Sequence, residues 1–196
     1  MDVSRETSER LHLYTDELLK WNKHINLVGR TTEADIWKRH IADSAQLFPL
    51  LCDTKAYADL GSGAGFPGLV IAILADEAGL ALHVTLVESD KRKAAFLRNT
   101  AVMMNLSITI QADRIEAISP LNADAISARA LAPLPDLLNL TYPHLAAGGE
   151  CFFLKGKAAS AEISAARQNW RFHLKQHQST TDDDGVLLQV GALERV

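Results

Sequence analysis

Cysteine is scarce in this chain. Cys52 and Cys151 are the only two, and neither belongs to a C-x-x-C pair, so neither a disulfide framework nor a cysteine zinc site is expected. His173 and His177 stand at a ligand-like spacing, but without a cysteine pair they read as ordinary strand or surface histidines, and no metal is expected. No apolar run approaches the roughly 20 residues that span a bilayer. The opening Met1-Asp2-Val3-Ser4-Arg5-Glu6 does not begin a secretory signal, so a cytoplasmic location without membrane attachment is expected. Positive charge is not in excess either. The formal net charge of −4 argues against indiscriminate binding to nucleic acid, while leaving room for local basic clusters.

Three such clusters occur. Lys20, Lys23, Arg30, Lys38 and Arg39 are opposed only by Glu33 and Asp35, and Lys91, Arg92, Lys93 and Arg98 have no acid among them. Lys155, Lys157, Arg167, Arg171 and Lys175 face Glu162 alone. With 47% apolar residues and 22% charged ones over 196 positions, the chain has the balance of one globular domain able to bury about 70% of its unfolded surface.

Residues 1–50 read as a helical extension packed on a core of residues 51–196. Leu11, Tyr14, Leu18, Trp21 and Ile25 recur at helical spacing after a Ser4 or Thr7 cap, and Gly29 ends that helix. A second helix is predicted from Thr32, with a capping-box-like spacing to Asp35. It carries Ile36, Trp37, His40, Ile41, Ser44 and Leu47 on one side and stops at Pro49. From residue 55 short strands alternate with helices. Strands are expected at 56–60, 82–87, 108–111, 123–128 and 151–154, with helices at 66–78, 91–104, 135–145 and 158–170. Runs 172–180 and 186–194, separated by Asp182-Asp183-Asp184-Gly185, leave no room for a helix and predict an antiparallel hairpin. The result is an α/β fold: a mostly parallel seven-stranded sheet with an antiparallel C-terminal hairpin, plus N-terminal helices, the Rossmann-like architecture of class I methyltransferases.

The chain is organised around Ala58-Asp59-Leu60-Gly61-Ser62-Gly63-Ala64-Gly65-Phe66-Pro67-Gly68, a strand, a glycine turn and a helix start. Such a turn brings backbone N–H groups close to a ligand. Read from Gly63 it satisfies G-x-G-x-x-G, with Glu88 at the distance expected of a dinucleotide site, which keeps a NAD(P)-linked oxidoreductase as an alternative. Read from Asp59 it gives D-x-G-x-G-x-G, as in S-adenosylmethionine sites. A carboxylate there can hold the donor's ammonium directly or through water, whereas it would repel a pyrophosphate. In this register Phe66 covers the cofactor, Pro67 starts the helix and Gly68 lets that helix approach the sheet.

Ligands of open parallel sheets bind outside the carboxyl ends of the strands. That rule nominates Glu88 for the ribose hydroxyls, Asp113-Arg114-Ile115-Glu116 for an adenine, Arg129 for a carboxylate or phosphate, and Lys155 and Lys157 for phosphate. No [ND]-P-P-[YF] follows the fourth strand, and neither cysteine stands where it could attack a pyrimidine. A target that needs neither a proton acceptor nor a covalent nucleophile, such as guanine N7, suits these residues, and no catalytic base is assigned.

Taken together, Trp21-Asn22-Lys23 through Asn26-Leu27, Arg39-His40-Ile41-Ala42-Asp43-Ser44, the glycine loop, Glu88-Ser89 with Lys91-Arg92-Lys93, Arg114-Ile115-Glu116, Ser127-Ala128-Arg129-Ala130 and Leu154-Lys155-Gly156 resemble the RsmG family. This family is also called glucose-inhibited division protein B. The likeness covers nearly the whole length, with Val28 where many relatives have threonine and Glu88 where aspartate is common. It implies a bacterial small-subunit rRNA guanine-N7 methyltransferase that uses S-adenosylmethionine. The implied cofactor site is Gly61, Phe66, Ile115, Glu116 and Arg129, joined by Asp59, Gly63 and Glu88 from the loop reading. The implied substrate is the helix 18 loop of the decoding region in 16S rRNA or the 30S subunit. Arg39, His40, Lys91, Arg92, Lys155 and Lys157 are the expected RNA contacts, and a monomer is expected. A non-catalytic RNA-binding module is the remaining alternative.

Overall fold

The computed structural model describes residues 3–196; Met1 and Asp2, the start of the stretch read for a leader, lie outside them. Seven strands form one sheet in the order β3-β2-β1-β4-β5-β7-β6. They are β1 (Ala56–Leu60), β2 (His83–Val87), β3 (Ile108–Gln111), β4 (Ala123–Arg129), β5 (Leu145–Lys155), β6 (Trp170–Gln178) and β7 (Val186–Arg195). The first five run parallel. β7 is inserted antiparallel between β5 and β6, so the reversed strand lies inside the sheet and β6 forms its edge. The strand order reverses between β1 and β4, the switch point where such a sheet opens a crevice.

Helices α3 (Gly68–Glu77) and α4 (Lys91–Met103), with α1 (Arg5–Asn22), cover one face, and α5 (Leu134–Thr141) and α6 (Ala159–Ala166) cover the other. Only a 3-10 turn, Ile115–Ala117, connects β3 to β4. Trp170 begins β6 where it was expected to end a helix, and β5 starts six residues earlier than its apolar run suggests, at Leu145.

The N-terminal segment departs most from its helical pattern. Ser4 caps α1 by accepting from Thr7 N–H at 3.0 Å, and Leu11, Tyr14 and Leu18 are fully buried. The helix nevertheless ends at Asn22, well before Gly29. Asn22 Oδ1 accepts from the N–H groups of Leu27 and Val28, and its Nδ2 donates to Val28 O and Glu33, so a side chain competes with the helical ladder and folds the chain back. Thr32 does not cap a helix either. It sits in a 3-10 turn, Arg30–Thr32, with its hydroxyl on Gly29 O.

The second helix is largely a π-turn, Trp37–Ala42, running into the short α2 (Asp43–Ala45). A π-turn places i and i+5 on one side. Ile36 and Ile41 are accordingly both buried, followed by Ser44 and Leu47, while Trp37, expected on the buried side, is turned outward.

Tyr14 ties α1 to the glycine loop: its fully buried hydroxyl donates to Ala64 O. Tyr14→Phe leaves that carbonyl unsatisfied. It is expected to lower unfolding stability by about 1–2 kcal/mol in urea titrations, with the far-ultraviolet circular dichroism unchanged.

Candidate active site

The glycine loop leaves β1 and enters α3 under tight steric limits. A Cβ on Gly68 would lie 2.3 Å from Leu86 Cδ2 and 2.8 Å from Asp59 Oδ2, so no other residue lets α3 start this close to the sheet. Gly65, at φ +95°, would place a Cβ 2.4 Å from Leu69 Cδ1. Pro67 stands just outside α3 as its N-cap residue.

Asp59 holds the arrangement from below, which leaves the water-mediated form of its expected role and not the direct one. Its residue is fully buried, Oδ2 accepts from Gly68 N–H at 3.2 Å and Oδ1 from the Ser127 hydroxyl at 2.6 Å. Because the Ser127 proton is given to Asp59, the Tyr57 hydroxyl donates to Ser127 Oγ, also at 2.6 Å. Asp59 and Ser127 are register partners on β1 and β4, and Tyr57 precedes Asp59 by two on the same side of β1. The carboxylate therefore faces the strand interior and cannot touch a ligand's ammonium directly.

On the β2 and β3 side the loop borders a cavity of about 310 Å³. Glu88 lines it from the end of β2 and is nearly buried; Oε2 accepts from Gly63 N–H at 2.9 Å and Oε1 from Asp90 N–H at 2.7 Å. Each oxygen keeps a second lone pair for a diol. Asp113, Ile115 and Glu116 line the same cavity, as the sequence suggested. His144, which no sequence pattern marked, fixes Ile115 from behind. A carbonyl only accepts, so His144 Nε2–H donates to Ile115 O at 3.1 Å.

On the β4 side lies a cavity of about 830 Å³. Arg129 reaches it from the last residue of β4 and is clamped by acceptors from the π-turn and α2. Nη1 donates to Arg39 O at 3.1 Å and to Asp43 Oδ2 at 3.5 Å, and Nη2 donates to His40 Nδ1 at 2.9 Å. His40 is thereby fixed as the Nε2–H tautomer, which donates to Thr32 Oγ1 at 3.1 Å. Its ring stacks on Phe66 at 5.0 Å, and the guanidinium lies 5.0 Å from the same ring centre. Phe66 is 4% exposed, packed by Tyr14, His40 and Arg129, and supports Arg129 as a floor more than it covers the cavity. Asp43 extends the cluster to the hairpin turn, since Oδ1 accepts from Gln46 Nε2 and the Thr181 hydroxyl, both at 2.8 Å. A guanidinium has five N–H donors, so Arg129 keeps donors for an anionic ligand.

The donor set fits S-adenosylmethionine. Carboxylates stand at the β2 end, loop amides lie between, and a guanidinium stands at the β4 end, groups complementary to a diol and a carboxylate.

The expected RNA contacts divide. Arg39, Lys91 and Arg92 are exposed, with Arg92 paired to its neighbour Asp90. Lys157 is exposed and paired to Asp184 at 3.0 Å. His40 is half-buried, with both ring nitrogens engaged. Lys155 is contradicted as a phosphate ligand: it is 11% exposed, donates to Ala132 O at 2.7 Å and pairs with Glu162 at 2.8 Å, bracing the loop after β4 onto α6. Lys93 belongs to the second basic run without an expected role, yet it lines both cavities. Asp43 and Thr181 also carry no expected role, although Asp43 belongs to the R-H-x-x-D-S run that bears the family resemblance.

Two of these groups carry opposite pH dependences. Burial, then Arg129 and Arg39, lowers the His40 pKa from 6.5 to about 4. Its contribution to stability is complete above pH 6.5 and is lost as the pH falls toward 4. Burial raises Asp59 from 3.8 to about 6, against the lowering effect of Ser127 and the Gly68 N–H. Its contribution is complete below 3.8 and is lost as the pH rises through 6. Urea titrations from pH 7 to 4 are expected to show Asp59→Asn losing stability with acid more steeply than wild type, and His40→Gln less steeply. Three parallel curves would sink both assignments.

Comparisons with known proteins show the family and the fold. The family described as GidB, rRNA small subunit methyltransferase G, matches residues 7–186. The ribosomal RNA small subunit methyltransferase G of Paramagnetospirillum magneticum is 50% identical over 98% of this chain and 92% of its own length. The protein of the same name from Cereibacter sphaeroides is 50% identical over 100% of this chain and 96% of its own. Among solved structures, an O-methyltransferase from Bacillus cereus in complex with SAH has a TM-score of 0.60 at 14% identity, covering 91% of this chain and 90% of that one. The M. jannaschii TYW2 structure in complex with AdoMet has a TM-score of 0.56 at 11% identity, covering 79% of this chain and 77% of that one. These two share the fold. With the family matched over nearly the whole chain and half of all positions identical to curated members, the chain belongs to the rRNA small subunit methyltransferase G family.

Proposed function

We propose that this protein transfers the methyl group of S-adenosylmethionine to N7 of a guanine in the helix 18 loop of 16S rRNA, acting in the cytoplasm as a monomer and as a single folded unit. The adenosine lies along the smaller cavity, with Glu88 on the ribose hydroxyls and the Ile115–Ala117 turn at the base. Arg129 takes the methionine carboxylate. Asp59 supports that end only indirectly, so the ammonium is left to carbonyl oxygens of the glycine loop. The donor supplies an electrophilic sulfonium methyl; the chain supplies placement.

The observation that carries this reading is the His40 ring of the Arg129–His40–Asp43 cluster, both of whose nitrogens are engaged. His40 accepts at Nδ1 and donates at Nε2, so it has no free lone pair to take a proton. The Cys151 thiol is fully buried and pushed up to about 12 by that burial, which removes it as a nucleophile. Such a cluster positions groups and abstracts nothing. Guanine N7 attacks with its own ring lone pair, the C–S bond breaks as the N–C bond forms, and no proton leaves, so alignment of the two reactants is what the site has to provide.

Labelled methyl transfer to 30S subunits lacking the modification, followed by borohydride reduction and aniline cleavage, locates any 7-methylguanosine; label confined to another atom would refute the reading. Calorimetry with S-adenosylhomocysteine and with NADH separates it from an oxidoreductase, and cofactor binding without transfer to any RNA would leave a mere binding module. Arg129→Ala is expected to weaken S-adenosylhomocysteine binding or turnover at least tenfold with the fold retained. Wild-type activity in that variant would count against the carboxylate role.

A further inference from the structure

We infer that Trp37, displayed by the π-turn of the N-terminal segment, is a stacking platform for an unpaired nucleotide flanking the methylated one. The inference rests on RNA being the substrate and adds the element that grips it. Trp37 is 37% exposed although it belongs to the helical stretch whose other large apolar residues, Ile36, Ile41 and Leu47, are buried. The π-turn is the cause: the extra residue between Ile36 and Ile41 keeps both on the core while rotating Trp37 away from it. The ring is not loose, because His12 of α1 packs against it with ring centres 4.3 Å apart. The ring is thus held against α1 with about a third of its residue surface left to solvent.

Its neighbours supply the complementary charge. Lys38 and Arg39, the next two residues of the same turn, are exposed and line the 830 Å³ cavity, and Arg30 is exposed just ahead of the turn. None of the three joins an ion pair among the described residues. Of the two acids in this stretch, Glu33 is hydrogen-bonded to Asn22 and Asp35 makes no ion pair among those residues; across the same cavity Asp43 pairs with Arg129 and Asp184 with Lys157, beside Asp182 and Asp183. The stretch from 20 to 40 carries five bases and two acids in a chain whose net charge is −4, so positive charge is concentrated where the aromatic ring is open. A partly exposed aromatic ring next in the chain to unpaired cations that line the cavity is the chemistry that holds single-stranded RNA: the base stacks, and the flanking phosphates meet the cations. A solvent-filled face would need no aromatic ring, and a protein-binding apolar face would not need three unpaired cations.

The test compares wild type, Trp37→Ala and Trp37→Phe for filter binding to an unmodified 16S rRNA transcript. Trp37→Ala is expected to bind roughly tenfold more weakly, Trp37→Phe to stay near wild type, and the salt slope to be unchanged because stacking releases no counterions. The dissociation constant for S-adenosylhomocysteine should not move. RNA should also quench tryptophan emission in wild type and not in Trp37→Phe beyond what Trp21 and Trp170 give, a readout that does not require the alanine variant to fold. The inference is overturned by unchanged RNA affinity in Trp37→Ala with no Trp37-dependent quench, by equal losses in Trp37→Ala and Trp37→Phe, or by a parallel loss of S-adenosylhomocysteine binding. A defect seen only on assembled 30S subunits overturns it too, since that would make the face a protein contact. Failure of wild type itself to bind RNA would remove the proposed function along with it, which distinguishes the two failures.

Discussion

A single buried carboxylate keeps the cofactor loop in place. Asp59 accepts the first N–H of α3 and the hydroxyl of its register partner on β4, so one side chain joins β1, the start of α3 and the neighbouring strand. Burying a carboxylate is costly, and its raised pKa records that cost; the bonds from Gly68 and Ser127 offset it. The same closeness excludes a Cβ at Gly68. The loop is therefore shaped by its own interior before any ligand arrives, and its outward amides are presented by a frame that does not need the ligand to form.

Arg129 does for the other side of the crevice what Asp59 does for the floor. Its guanidinium collects the Arg39 carbonyl, the His40 ring and the Asp43 carboxylate, and Asp43 passes the connection to Thr181 in the β6–β7 turn. Three remote segments of the chain meet at one cation: the N-terminal segment, the end of β4 and the C-terminal hairpin. A change in any of them reaches the place where the donor's carboxylate would lie. Lys155, on the adjacent strand β5, braces the fold in a comparable way by holding Ala132 and Glu162 together, which is why a lysine that reads as a phosphate ligand is nearly buried.

Much of the architecture is legible in the residue order. Alternation of short apolar runs with helical periods located all seven strands, and the hairpin at 186 followed from the absence of room for a helix. Glu88, Ile115 and Arg129 were nominated by the rule that ligands sit at carboxyl ends of parallel strands, and the two cavities lie there. The N-terminal segment was less legible. Asn22 ends α1 through side-chain bonds that a periodicity cannot register, and one extra residue in the π-turn changes which face Trp37 occupies. Local patterns assume a constant number of residues per turn; here tertiary packing overrode that assumption.

The sequence by itself determined the strand order's raw material, the glycine turn with its acid, and the family, because those depend on residue types at fixed local spacing. Tertiary structure alone decided what the charged side chains do. Asp59 turns inward because the pleat of β1 points it at Ser127, Lys155 is held because α6 brings Glu162 beneath it, and His40 has no free ring nitrogen because Arg129 donates to one and Thr32 accepts from the other. A charge's role depends on what surrounds it in space, and for these residues the surroundings come from segments distant in the chain.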